Sequence, residues 1–135
     1  MDPVVHFEMP FDDRDRMVGF YAKAFGWQAN LLGEDMGNYA VMMTGEDDPA
    51  TRRPKEPGRI NGGFFKRNPK NAYPSVTIAV KDIKAAMKKV EEAGGHAIGG
   101  HFENGEPDMI PGVGLYASCI DTEGNRISLL QPMGM

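Results

Sequence analysis

His6-Phe-Glu-Met-Pro-Phe-Asp-Asp13 and Ser75-Val-Thr-Ile-Ala-Val-Lys-Asp82 decide the fold, because the two stretches open the same pattern 69 residues apart. In each, apolar side chains alternate with mostly polar ones, which is typical of a strand with one buried and one polar face. Each stretch ends in an aspartate, a favoured helix N-cap. An internal repeat of this size is a stronger guide to architecture than a short motif.

Both copies predict the same order of elements. Apolar residues recur at helical spacing over 14–25 and 83–93, and glycines follow both segments. Further strands are predicted at 27–32, 39–44 and 60–66 in the first half, and at 97–102, 115–120 and 126–131 in the second. We therefore expect an α+β fold of two βαβββ modules in tandem, residues 1–68 and 69–135, within a single domain spanning 1–135. They are predicted to form a curved mixed sheet, or cup, with the helices outside.

Composition restricts the function. The chain has 135 residues, 41% of them hydrophobic and 25% charged, with a net charge of −4. This acidic balance argues against a nucleic-acid partner, and no apolar run is long enough to predict a membrane span. The first residues do not predict a secretory signal, and the single Cys119 cannot form an intramolecular disulfide, so we expect a cytoplasmic protein. The charged, proline-rich segment 46–59 is predicted to be a mobile loop or a lid.

Several motifs, taken in order, resemble the vicinal oxygen chelate superfamily over essentially the whole chain. They are His6, Phe20-Tyr21, Phe25-Gly26, Ile110-Pro-Gly-Val-Gly114, Asp121-Thr-Glu-Gly-Asn125 and Ile127-Ser-Leu-Leu-Gln-Pro132. That superfamily includes glyoxalase I, bleomycin resistance proteins and extradiol dioxygenases. Within it, the chain looks most like small bacterial proteins related to lactoylglutathione lyase.

The resemblance also places the four metal-ligand positions of the metal-dependent members. They fall at His6, at a glycine of Asn61-Gly-Gly63 (most simply Gly63), at Ser75 and at Ser128. Only His6 supplies a family ligand, whereas a catalytic metal needs about three protein ligands. We therefore expect no metal centre and no cofactor, and a divalent metal is the minority alternative.

His6 and Glu8 are the candidate catalytic or binding residues, because residues two apart on a strand share a face. The alternatives are a structural hydrogen bond for His6 and simple solvation for Glu8. Alternation and the repeat predict the residues that line a pocket with them. These are Tyr39, Phe64 or Phe65, Ser75, Thr77, Ala79, Tyr116, Ser128 and Leu130.

Two other features favour a structural interpretation. His101, Glu103, Glu106 and Asp108 have the residue types of a metal site, but their irregular spacing in a glycine-rich segment indicates a solvated loop. This segment is the fallback location for a metal. Cys119 is predicted to be a small buried hydrophobic residue.

Three functions remain open. The first, which we favour, is a metal-independent protein that binds a small organic ligand. The second is a metal-dependent lyase or isomerase of the lactoylglutathione lyase type, and the third is a metal-free enzyme that uses His6 or Glu8 for proton transfer. A homodimer is also expected, through an exposed patch of Trp27, Phe64 and Phe65.

Overall fold

The computed structural model describes residues 1–133, which divide into two compact units. His6–Pro74 form the N-terminal unit, and Met1–Val5 join the chain from Ser75 onward in the C-terminal unit. The first residues belong to the second unit because the carbonyl of Pro3 accepts a hydrogen bond from the backbone N–H of Ala79 at 2.9 Å. The division therefore falls after residue 74, near the predicted junction at 68/69.

The N-terminal unit has the predicted βαβββ order. Its elements are β1 (Val4–Phe11, which enters this unit at His6), α1 (Arg14–Phe25), β2 (Gln28–Leu31), a short 3-10 helix (Glu34–Met36), β3 (Ala40–Met43) and β4 (Asn61–Lys66). The strand order is β2-β3-β4-β1, in which β1 and β4 are parallel and the other pairs are antiparallel. The sheet is therefore mixed, as the sequence predicts.

The C-terminal unit repeats this order with one additional strand. Its elements are β5 (Ser75–Ala79), α2 (Ile83–Glu92), β6 (His96–Gly99), β7 (Asp108–Ile110), β8 (Gly114–Ile120) and β9 (Arg126–Pro132). The strand order is β5-β9-β8-β6, and the unpredicted β7 pairs with β8. Strands β5 and β9 are parallel, which matches the β1–β4 pair of the first unit. The predicted α+β fold is confirmed.

Both helices begin at the predicted aspartates. The side chain of Asp13 accepts a hydrogen bond from the backbone N–H of Arg16, and that of Asp82 does so from Ala85. Gly26 ends α1 in the left-handed conformation, with a φ of 75° that costs glycine little. The two helices differ in depth, since α2 buries Ile83 and Met87 whereas α1 has no fully buried side chain.

Each unit has its own apolar core on one face of its strands. In the N-terminal unit the core consists of Phe11, Ala40, Met42 and Phe64, and α1 packs against it through partly buried residues such as Tyr21. In the C-terminal unit it includes Ile83, Ala117, Cys119 and Leu129. Cys119 is fully buried and its pKa is raised to about 11, mainly by that burial, so the prediction of a structural thiol is confirmed.

The position of Phe64 corrects two predictions. Its side chain is 0% exposed in the N-terminal core, so it neither lines a pocket wall nor forms part of an exposed apolar patch. Trp27 is also packed, with its ring stacked on Tyr21 at a centroid distance of 4.8 Å. The exposed aromatic side chains described in this unit are instead Phe20 and Phe25 on α1, and Tyr73 near its C-terminal end.

The segment 46–59 has no helix or extended strand, and side chains hold both of its ends; its role as a mobile loop or a lid stays a prediction. The Asn61 amide donates to Asp47 Oδ1 at 2.8 Å, and Arg59 Nη1 donates to the Thr44 carbonyl at 2.6 Å. Among residues 1–133, no helix is long and apolar enough to cross a membrane.

Candidate functional site

The polar face of β1 brings His6, Glu8 and Tyr39 into one hydrogen-bonded group. His6 Nε2 lies 3.2 Å from the Tyr39 hydroxyl, and that hydroxyl donates to Glu8 Oε2 at 3.3 Å. All three residues are partly buried. We call this group the His6–Tyr39–Glu8 network. The opposite face of β1 packs into the N-terminal core through Phe7, Met9 and Phe11, which fixes the direction of the polar side chains.

The directions of these bonds determine the state of His6. A tyrosine hydroxyl has one proton, and here it is donated to the Glu8 carboxylate. The Tyr39 oxygen therefore accepts from His6, which places the imidazole proton on Nε2. Burial lowers the pKa of His6 because it disfavours the charged ring. His6 is consequently a neutral, oriented imidazole near pH 7.

A glycine leaves the room for Tyr39. Glu8 pairs with Gly63 across β1 and β4, so the two positions lie on the same face of the sheet. A Cβ atom added at Gly63 would overlap the hydroxyl and ring of Tyr39. The tyrosine therefore occupies the space that any side chain at position 63 would enter.

The corresponding face of the C-terminal unit is made of hydroxyl groups. Thr77 pairs with Ser128 between β5 and β9, and Ser128 pairs with Ser118 between β9 and β8. These three residues, which we call the hydroxyl row, are 3–4% exposed. The Tyr116 hydroxyl lies 2.8 Å from Ser128 Oγ, within hydrogen-bond distance.

Thr77 differs from the rest of the row. Its Oγ1 is buried and has no hydrogen-bond partner among the described residues. More than nine in ten buried polar groups are paired, and an unpaired one costs about 1–3 kcal/mol. The hydroxyl row thus contains one donor and acceptor that the fold itself does not use.

Comparisons with known proteins agree with this architecture. Residues 4–45 match the family described as "Bleomycin resistance protein-like N-terminal". A hypothetical protein from Bacillus halodurans C-125 superposes with a TM-score of 0.68 at 13% identity, over 99% of this chain and 96% of that one. No curated protein matches the sequence.

Two similar structures are enzymes. Methylmalonyl-CoA epimerase in complex with methylmalonyl-CoA and NH4+ has a TM-score of 0.67 at 12% identity, over 99% of this chain and 96% of that one. The methylmalonyl-CoA epimerase from Mycobacterium tuberculosis has a TM-score of 0.63 at 14% identity, over 96% of this chain and 87% of that one. The chain has the vicinal oxygen chelate fold. With the match over residues 4–45, this supports the resemblance at the level of the superfamily, though not to lactoylglutathione lyase in particular.

A metal centre like that of the superfamily's metal-dependent members would need ligand atoms at four positions of this chain. They are His6, Gly63, Ser75 and Ser128. Gly63 has no side chain, and its space is filled by Tyr39. Ser128 is buried beside the Tyr116 hydroxyl, and serine hydroxyls are weak ligands for a divalent cation. Within residues 1–133, no group of three or more His, Cys, Asp or Glu side chains could hold a metal ion. The residues present do not fit the superfamily's metal centre.

The structure brings some of the predicted site residues together and not others. His6, Glu8 and Tyr39 meet in one network, and Thr77, Ser128 and Tyr116 meet on the other unit's polar face, where register also places Ser75, Ala79 and Leu130. Phe65, half-buried, shares the face of Gly63 on β4. Sequence reasoning missed Ser118, although its position two residues after Tyr116 on the same strand was a usable signal.

In the glycine-rich segment around His101, the side chains of His101 and Asp108 form a hydrogen-bonded pair. His101 Nδ1 lies 2.9 Å from Asp108 Oδ2, which also accepts the His101 backbone N–H at 2.7 Å. Partial burial alone would raise the pKa of Asp108, but the backbone and side-chain interactions with His101 together outweigh it and lower that pKa. The carboxylate therefore closes the turn that leads into β7, a structural role that needs no metal.

A surface cleft of about 280 Å³ lies elsewhere in the C-terminal unit. Its lining combines α2 residues with the segment before β7, namely Lys84, Met87, Lys88, Glu91, Ala97, Gly105 and Glu106. Because α2 packs on the core face of this unit, the cleft is on the opposite side of the strands from the hydroxyl row. It is therefore separate from the hydroxyl row.

Proposed function

We propose that this protein binds a small organic ligand without a metal ion and releases it unchanged. The observation that carries the proposal is the position of the Tyr39 hydroxyl. It lies where a side chain at position 63 would be, and it is bonded to both His6 and Glu8. A network of this kind holds its polar groups in fixed directions, which suits recognition.

The network combines one neutral group with one carboxylate. His6 is neutral because burial lowers its pKa, and its Nε2 proton is directed at Tyr39. A small ligand would meet an oriented imidazole and a carboxylate already engaged by a tyrosine. The match to a bleomycin resistance-like family over residues 4–45 supports a binding role of this class.

A metal-free proton-transfer enzyme is the second candidate. It is favoured by the same lowered pKa, because an imidazole that is neutral near pH 7 can accept a proton. The finer relation to lactoylglutathione lyase would require a metal-dependent lyase or isomerase. For that chemistry the donors at Gly63, Ser75 and Ser128 are unsuitable.

A binding screen distinguishes these functions. Purified protein is titrated with bleomycin, with methylmalonyl-CoA and with a panel of small aromatic and carbonyl compounds, and heat of binding and product formation are both measured. We expect at least one saturable ligand that is recovered unchanged and whose affinity falls about tenfold in Tyr39→Phe, about the value of one buried hydrogen bond. Tyr73→Phe is the matched control, because Tyr73 is 79% exposed.

Two results would overturn the proposal. One is chemical conversion of a bound compound, which would favour the enzyme. The other is binding that is equally strong in wild type, Tyr39→Phe and His6→Ala.

The homodimer and the cytoplasmic location stay predictions of the sequence. Sedimentation analysis of the purified chain tests the predicted homodimer.

A further inference from the structure

The unpartnered hydroxyl of Thr77 is the starting point. Thr77 is 3% exposed and lies at the centre of β5, paired with Ser128 on β9. Its Oγ1 has no hydrogen-bond partner among residues 1–133. The backbone of β5 can form its sheet bonds with any β-branched side chain at this position, so the fold does not require the hydroxyl.

The surroundings of Thr77 define which ligand group it accepts. The neighbouring side chains on the same face are Ala79, Ser118, Ser128 and Leu130, all of them uncharged. A buried charge without a counter-charge is strongly disfavoured, whereas a neutral oxygen needs one hydrogen bond. A threonine hydroxyl can donate that bond, since it carries one proton and two acceptor lone pairs.

We propose that Thr77 Oγ1, with the Ser118–Ser128 row beside it, is a recognition site for a neutral oxygen acceptor such as an amide or ketone carbonyl. The proposal rests on the ligand-binding function above, but it concerns the C-terminal unit alone, and it names the chemical class of the group that this unit would bind. Arg126 lies on the same face of β9, two residues from Ser128, so a carboxylate is the alternative that the test includes.

The first measurement needs no ligand. Thr77→Val replaces the hydroxyl with a methyl group of similar size, and its unfolding in urea is compared with that of Thr44→Val. Thr44 is the matched control because its hydroxyl donates to the Ile60 carbonyl at 2.8 Å. We expect Thr77→Val to raise the folding equilibrium constant about fivefold or more, and Thr44→Val to lower it by a similar factor.

The second measurement uses simple probes. Threonine methyl groups are labelled with ¹³C, and the protein is titrated with N-methylacetamide or with sodium acetate at constant ionic strength. N-methylacetamide is expected to shift the Thr77 methyl signal in a saturable manner and to leave Thr44 unmoved, while acetate has little effect on either. Ser128→Ala should weaken the response.

Several outcomes overturn the proposal. They are a Thr77→Val variant no more stable than wild type, an absent Thr77 response to N-methylacetamide, and a response to acetate that is equal or larger. If the Thr77 site fails while Tyr39-dependent binding persists, the proposed function stands without this recognition group. If the Tyr39-dependent binding fails, the Thr77→Val comparison still reports on the hydroxyl itself.

Discussion

The polar faces of the two units are built on one repeat but carry different chemistry. On β1 the alternating positions hold His6 and Glu8, two titratable groups that are joined by the Tyr39 hydroxyl. On β5 the equivalent positions hold Ser75 and Thr77, which are neutral, and the Thr77 hydroxyl has no partner among the described residues. A repeated backbone thus specifies which positions share a face. The side chains determine whether the polar groups on that face hydrogen-bond to one another.

The two faces differ in the hydrogen-bonding groups that they leave available. In the His6–Tyr39–Glu8 network, hydrogen bonds among the three side chains fix the direction of the polar groups. The hydroxyl row retains one buried hydroxyl without a hydrogen-bond partner among the described residues, so it can form a further hydrogen bond through an uncharged group. Each unit, taken by itself, therefore presents a different kind of contact on its polar face.

The largest expected effect comes from a steric disruption of the His6–Tyr39–Glu8 network. Gly63→Ala places a methyl group in the space of Tyr39 and should destabilise the fold by about 2 kcal/mol, as overpacking of a filled site does. The free energy of unfolding in urea gives the value. Gly19→Ala is the control, because a Cβ at Gly19 meets nothing within 4 Å and should raise stability in α1.

A double variant shows whether Tyr39 is the cause. Combining Gly63→Ala with Tyr39→Ala removes the overlap. The double variant should therefore lose clearly less free energy of unfolding than the sum of the losses in the two single variants. Strict additivity would mean that the glycine is required for another reason.

A smaller effect appears as a pH dependence of stability. Burial lowers the folded pKa of His6 below its usual 6.5, so below about pH 6.5 the unfolded chain binds a proton that the folded chain does not. The contribution of His6 is therefore complete above pH 6.5 and is lost as the pH falls toward the folded pKa. The slope is at most about 1.4 kcal/mol per pH unit, since one proton is involved.

His6→Gln isolates this contribution from the carboxylates, which also titrate in acid. Urea unfolding of wild type and variant is measured between pH 5 and pH 8. The difference in unfolding free energy should be constant above about pH 6.5 and should narrow below it, as wild type alone loses stability from this group. Parallel curves over the whole range would show that His6 is not buried as described.

The sequence predicted the framework well, because local chemistry determines it. The bounds of α1 followed from the Asp13 cap and the glycine at position 26, both of which act locally. The strand predicted at 97–102 was too long, since Gly99 has a φ of 104° and the pairing with β8 shifts there. Strand β7 was missed because three residues show no usable alternation.

The site was harder to predict because its decisive contacts are not local. Gly62 and Gly63 carry no side chains, so alternation could not assign Phe64 to the core and Phe65 to the polar face. Nor could it show that Tyr39 extends over Gly63, a contact between strands β3 and β4 that depends on the folded geometry. The sequence identified a missing ligand, and the structure shows which side chain lies in its place.

The metal content of the purified protein tests the central claim most directly. The chain is purified without chelator or added metal and analysed by inductively coupled plasma mass spectrometry, with protein concentration from amino-acid analysis. The His6–Tyr39–Glu8 network and the glycine at position 63 predict well below about 0.1 equivalent of any transition metal per chain. Close to one equivalent, lost in His6→Ala, would contradict the account.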